Sequence, residues 1–306
     1  MTGEVVVHDE RFRFLVNPAA DLKKLCSGML WAEGPVYFPQ GDYLLWSDIP
    51  NSRMLQWAEG LGARTYRYDS KNSNGNTRDR EGRLVTCEHL TRRITRTEPD
   101  GSITVLADSY DGKALNSPND VVVKSDGSIW FTDPPYGILS DYEGKTSPQE
   151  QEGCFVFRLE LPGGGNVTNR RLEIVAEDFV KPNGLAFSPD ETILYISDTG
   201  LSHDADGPHH IRVFDVHQGQ SLKNGRVFTE IDKGVPDGFR LDRLGNIWTS
   251  TGGGVQCYAA DGELLGEILI DEAVANVTFG GPKNNRLFIA ATTSLYAIYL
   301  AVGGAV

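Results

Sequence analysis

Apolar residues in this chain fall into short runs, some alternating with polar residues and some continuous, separated by turns rich in Gly, Pro, Asn and Asp. Such a pattern suits many short strands better than long helices. One phrase recurs. At Pro182-Asn183-Gly184 a turn leads into an apolar strand over 185–187, a second turn over 188–190 follows, and an alternating strand over 193–197 closes at Asp198. First turns of the same kind occur at Glu33-Gly34-Pro35, Gly75-Asn76-Thr77, Pro118-Asn119-Asp120, Pro236-Asp237-Gly238 and Ala275-Asn276-Val277. The second strands that follow are expected at 44–47, 84–87, 129–132, 193–197, 247–250 and 287–290. Third strands are expected at 54–57, 94–96, 155–159, 211–215, 255–258 and 295–299. Five of the units also carry a fourth strand, at 65–68, 103–107, 172–176, 227–230 and 264–270.

A four-stranded unit recurring every roughly 40 to 45 residues is the signature of a β-propeller with one blade per repeat. Six copies of the phrase predict an all-β fold with six blades. The sixth copy has too few residues after Asn276 for a full set of strands, so an N-terminal strand over 12–15 or 22–26 is expected to complete it and close the ring. Residues 1–11 read as a loose segment and 12–306 as a single propeller domain. The long third unit carries an insertion over 134–153, rich in Pro, Gly, Asp and Glu, which is a loop over one face and a candidate lid.

Charge and cysteine usage narrow the function. With 29 Lys and Arg against 42 Asp and Glu, the net charge of −13 disfavours nucleic acid and anionic membranes as partners and leaves a small molecule or a cation. Four widely spaced cysteines with no Cys-x-x-Cys pair read as buried free thiols of a reducing compartment. The first residues lack the pattern of a signal peptide, and no apolar run approaches a membrane span, so a cytoplasmic location is expected.

In a propeller, equivalent points of the innermost strands meet in a ring at one end of the central channel. The first turns therefore predict a ring of Glu33, Asn76, Asn119, Asn183, Asp237 and Asn276. These are hard oxygen ligands without His or Cys, suited to Ca²⁺ first and to Mg²⁺ or Mn²⁺ next, with Zn²⁺ tolerated. A single Asn or Asp before Gly is an ordinary turn residue. The equivalence of the positions, and a Glu in a register that elsewhere holds Asn, favour the ring. Among the other candidates, His203, His209 and His210 fall in a polar loop, and no Gly-x-Ser-x-Gly elbow is present.

The phrases Glu33-Gly34-Pro35-Val36, Ser117-Pro118-Asn119-Asp120, Lys181-Pro182-Asn183-Gly184 and Pro236-Asp237-Gly238-Phe239 resemble the gluconolactonase/regucalcin (senescence marker protein) family of six-bladed propellers. The stretches 75–89 and 116–137 resemble its bacterial gluconolactonase branch. The resemblance covers roughly residues 25–300. It implies metal ligands at Glu33, Asn183 and Asp237, with Asn119 beside the metal in contact with substrate or water. Animal members carry an Arg two residues before that Asn to bind substrate. Ser117 stands there in this chain, so Arg78, His89, Tyr136 and the insertion become the candidate substrate contacts.

The implied reaction is metal-assisted hydrolysis of a sugar lactone, glucono-1,5-lactone or a related aldonolactone, with Asp237 as the base for the attacking water. Alternatives on the same scaffold are a metal-dependent esterase or phosphotriesterase and a propeller that binds a cation or a protein without catalysis. The oligomeric state is not legible.

Overall fold

The computed structural model describes residues 4–162 and 167–305. Six antiparallel sheets stand around a central channel as the blades of a β-propeller. The first runs through strands Ala32–Phe38, Tyr43–Asp48, Arg53–Ala58 and Gly62–Tyr68, and the second through Ser73–Arg78, Leu84–Glu88, Arg93–Thr97 and Ile103–Ala107. The inner strands of blades three to six are Val121–Val123, Pro182–Phe187, Phe239–Leu241 and Val274–Gly280. Inner strands touch one another in ring order, the sixth returning to the first.

The core lies between blades. Leu185, Leu194 and Ile196 of blade four pack on Trp130, Val156 and Phe179 of blade three, and Ala186, Tyr195 and Val213 of the same blade pack on Phe239 and Leu241 of blade five. Each central strand thus buries both faces. That is why the second and third strands read as nearly continuous apolar runs, and why their positions were legible from pattern alone.

Closure uses the N-terminus twice. Lys23–Ser27 pairs with Ser294–Tyr299 and completes the sixth blade, as the 22–26 alternative anticipates. Val5–Val7 adds a fifth strand to blade five by pairing with Leu264–Leu269, so these residues are not loose. Three consecutive valines favour a strand, and the free edge of Leu264–Leu269 supplies its partner. Residues 12–15 are not a strand either. Glu10–Phe14 is a 3₁₀ turn capped by Asp9, whose carboxylate accepts from the Arg11 N–H at 2.7 Å, and it drops a fully buried Phe12 into the interface between blades five and six.

The 134–153 insertion is ordered and tied down. One helical turn, Tyr136–Leu139, is followed by a loop whose Glu143 carbonyl lies 3.2 Å from His89 Nδ1. Gln151 Nε2 donates to three carbonyls of the 110–114 hairpin, and Arg92 pairs with Glu150 at 3.1 Å.

Successive blades are stitched at the start of the inner strands. Gly75 N–H donates to the Asn119 carbonyl at 2.8 Å, Gly184 N–H to Asp237 O at 2.9 Å and Gly238 N–H to Ala275 O at 2.7 Å. Second-strand hydroxyls reinforce this, Thr132 Oγ1 donating to Asn183 O at 2.7 Å and Ser197 Oγ to Asp237 O at 3.0 Å. The glycine of the phrase is required by this approach, since a Cβ on Gly184 would overlap the Asp237 carbonyl oxygen and crowd Gly238 Cα at 2.9 Å. Both obstacles are backbone. Gly184→Ala is therefore expected to destabilise the protein by about 3 kcal/mol or more. Urea unfolding measures this, and a loss below about 1 kcal/mol would contradict so close an approach.

Candidate active site

The stitching contacts define which inner-strand residues are equivalent. In each case the carbonyl that accepts from one blade belongs to the ring residue of the next. By that criterion the ring is Glu33, Asn74, Asn119, Asn183, Asp237 and Ala275. Two sequence assignments are corrected. Asn76 is replaced by Asn74 and Asn276 by Ala275: the inner strands of blades one, two, four and six share a register shift at this point, and Asn76 lies beyond it, where blade four has Leu185. Asn76 is spent on structure. Its Nδ2 donates to the carbonyls of Gly34 and Asn74, and its Oδ1 accepts from Thr86 Oγ1.

Acids at the ends of second strands hold the segments entering the ring. Asp48 accepts from Leu30 N–H at 2.9 Å, Asp133 from Asn116 N–H at 2.7 Å, and Asp198 from Val180 and Lys181 N–H at 2.9 and 2.8 Å. They position backbone and are not themselves ring members.

Glu33 is buried and Asp237 half-buried, and the charge of Glu33 acts on Asp237. Burial raises the Asp237 pKa well above the ordinary carboxylate value. The charges of Glu33, Glu143 and Asp120 raise it further, and a hydrogen bond from Asn183 pulls it back in part. Burial likewise raises Glu33, then the charge of Asp120, against hydrogen bonds from Gly34 N–H and the Asn276 amide at 3.1 Å. No Lys or Arg bonds to either carboxylate among the described residues. Asn119 is buried, and its side chain has no hydrogen-bond partner among them, while Asn74 Oδ1 is buried and unpartnered. Such like charges beside uncommitted carboxamide oxygens lack a counter-charge, and a divalent cation with oxygen ligands fits that deficit. No three His, Cys, Asp or Glu among the described residues converge to hold a metal; the ring offers two carboxylates and three carboxamides.

The remaining candidates separate. Tyr136 belongs at this end: its hydroxyl lies 2.6 Å from Thr199 Oγ1 and 2.9 Å from Ser202 Oγ, and Asp237's charge acts on it. Lys181 Nζ sits 5.1 Å from the centre of the Tyr136 ring. His89 is fully buried, with its pKa lowered to about 4 by burial, and it bridges Asn74 Nδ2 at 3.2 Å to the Glu143 carbonyl. It therefore ties a ring member to the insertion. Ser117 anchors the insertion, donating to Pro134 O at 2.7 Å and accepting from Gly137 N–H at 2.9 Å. Arg78 lies elsewhere. It ends its inner strand, whereas ring residues begin theirs, so it lines the opposite mouth of the channel.

The match to the SMP-30/Gluconolactonase/LRE-like region spans residues 31–293, from just before the first ring position to just before the last strand. The chain belongs to this family. Within it, a gluconolactonase of Zymomonas mobilis is 30% identical over 97% of this chain and 86% of its own length. A pentonolactonase of Haloferax volcanii is 27% identical over 84% and 80%. The solved gluconolactonase of Xanthomonas campestris is 37% identical, covers 97% of this chain and 94% of its own, and superposes with a TM-score of 0.88. A calcium-binding regucalcin from Agrobacterium tumefaciens shares the fold, with a TM-score of 0.71 at 18% identity over 92% and 94%.

Sequence reasoning missed Asn74, Asp120 and Glu143. For Asn74 a signal was present, since Asn74-Gly75 repeats the acid-or-amide plus Gly pair of Glu33-Gly34, Asn183-Gly184 and Asp237-Gly238. Asp120 and Asn276 occupy the glycine position of that pair in blades three and six. Glu143 lies inside the insertion, burial pushes its pKa up to about 7, and no repeat announces it.

Proposed function

We propose that this enzyme opens a sugar lactone, glucono-1,5-lactone or a related aldonolactone, to the aldonic acid in a cation-dependent hydrolysis. Lactone ester bonds are what its gluconolactonase and pentonolactonase relatives are named for. The observation that carries the mechanism is the pair of mutually repelling carboxylates, Glu33 buried and Asp237 half-buried, with uncommitted carboxamides around them.

Glu33, Asn183 and Asp237 would hold the ion, Ca²⁺ first among hard cations, with Asn119 beside it. Bound there, a divalent cation supplies Lewis-acid stabilisation of the negative charge that develops on the lactone carbonyl oxygen. An Asp237 carboxylate oxygen takes the proton of the attacking water and returns it to the ring oxygen as the C–O bond breaks. A nearby cation lowers the pKa of this acid and so makes it a weaker base, which suffices for an ester already activated at its carbonyl. The Asn119 carboxamide and the Tyr136 hydroxyl are the groups offered to the sugar. The insertion, anchored through Ser117 and His89, covers this side of the channel mouth and limits water there.

A lactone panel assayed with and without EDTA tests the reading. Hydrolysis of glucono-1,5-lactone above the spontaneous rate should fall by about 10² or more on chelation and return with added Ca²⁺. Activity indifferent to chelation would overturn cation dependence, and activity confined to aryl esters or phosphotriesters would overturn the substrate class.

A further inference from the structure

We propose that the opposite mouth of the central channel is a second ligand site, which binds a small organic anion through Arg78. A cavity of about 560 Å³ opens there between the far ends of the inner strands and the turns that follow them. Its size suits a small molecule. It belongs to none of the chemistry assigned to the ring, whose members start the same strands at the other end.

Three guanidinium groups line this cavity, Arg78, Arg80 and Arg240, in a protein whose net charge is −13. Two of them are committed. Arg80 donates to the carbonyls of Lys124 and Val123 at 3.0 and 3.1 Å and to Glu191 at 3.2 Å. Arg240 donates to its neighbour's carbonyl at 2.7 Å and to Asp120 at 3.3 Å. The Arg78 guanidinium makes no hydrogen bond and no ion pair among the described residues, although the residue is half-buried.

The acids of the cavity leave nothing for it. Asp79 is held by Arg83 at 2.6 Å, and the two oxygens of Glu191 are taken by Arg80, Lys124 and Ser125. Burial, and then the charge of Arg80, lower the Arg78 pKa. A half-buried cation with no counter-charge is costly, and one beside a second guanidinium more so. A bound anion supplies the missing charge. The planar fork of Arg78 selects a carboxylate or a phosphate, and Tyr37, Phe187 and Phe279 offer an apolar wall for the body that carries it.

Equilibrium dialysis of EDTA-treated full-length protein at low ionic strength tests this, with labelled inorganic phosphate and labelled benzoate as separate probes. Chelation leaves the acidic ring without a cation, so anion uptake there is disfavoured. Wild type should take up about one equivalent of at least one probe saturably, and the probe retained tells phosphate from carboxylate. Arg78→Gln should weaken that uptake about tenfold or more, and Arg78→Lys should recover part of it. Arg78→Gln should melt at or above the wild-type temperature, because it removes an uncompensated charge. Failure of wild type to bind either probe, or uptake by a folded Arg78→Gln equal to wild type, overturns the proposal.

Discussion

Asp237→Asn is expected to lower lactone hydrolysis by about 10³ while leaving the metal-free propeller as stable as wild type or more stable. The two effects have one origin. Desolvation at its half-buried position, and then the like charges of Glu33, Glu143 and Asp120, disfavour the ionised form of Asp237 in the folded chain. Its folded pKa stands above the unfolded one. The native state therefore binds more protons, and stability falls as pH rises from the unfolded pKa towards the folded one. Asn mimics the protonated acid, so above that window in EDTA the variant should melt higher than wild type. With Ca²⁺ the order should reverse, because wild type gains stability by mass action and the variant has lost a ligand. Melts with and without Ca²⁺, paired with turnover, check this. An active variant, or a lower melting temperature in EDTA, would remove Asp237 from both roles.

Phe12→Ala should cost about 3–5 kcal/mol and leave turnover per folded molecule unchanged. Phe12 has no exposed surface, and its ring lies 5.7 Å from that of Trp248. It also covers Gly266, where any Cβ would strike its ring. Truncation leaves a hole between blades five and six and weakens the hold on the two N-terminal strands that close the ring. Lys23–Ser27 is the outer strand of blade six, so its loss would expose the edge of Ser294–Tyr299. Denaturant midpoints measure the effect. A loss under about 1 kcal/mol would mean that the N-terminal segment is an accessory and not a clasp.

The contrast between these two residues shows how far the chain could be read. Asp237 stood out because its phrase repeats and its chemistry departs from the prevailing Asn. Phe12 did not. Phe-Arg-Phe alternates like a strand, and only the Asp9 cap and the gap above Gly266 turn it into a 3₁₀ turn with one ring inward. Arg78 failed for a different reason. It lies close in sequence to the ring position Asn74, yet an extended strand carries it through the channel to the other mouth.

What the sequence by itself determined is the repeat: six blades, their second and third strands, and the need for an N-terminal strand to close the ring. These follow from local chemistry, because buried strands must be apolar and turns need Asn, Asp, Gly and Pro. What only the tertiary structure decided is that Lys23–Ser27 is the closing strand, that Ala275 holds the sixth ring position, the mouth on which Arg78 falls, and the convergence of Asp120 and Glu143 on the Glu33–Asp237 pair. An alanine at a ring position carries no polar side chain to mark it, and an electrostatic field sums over charges that are distant in the chain.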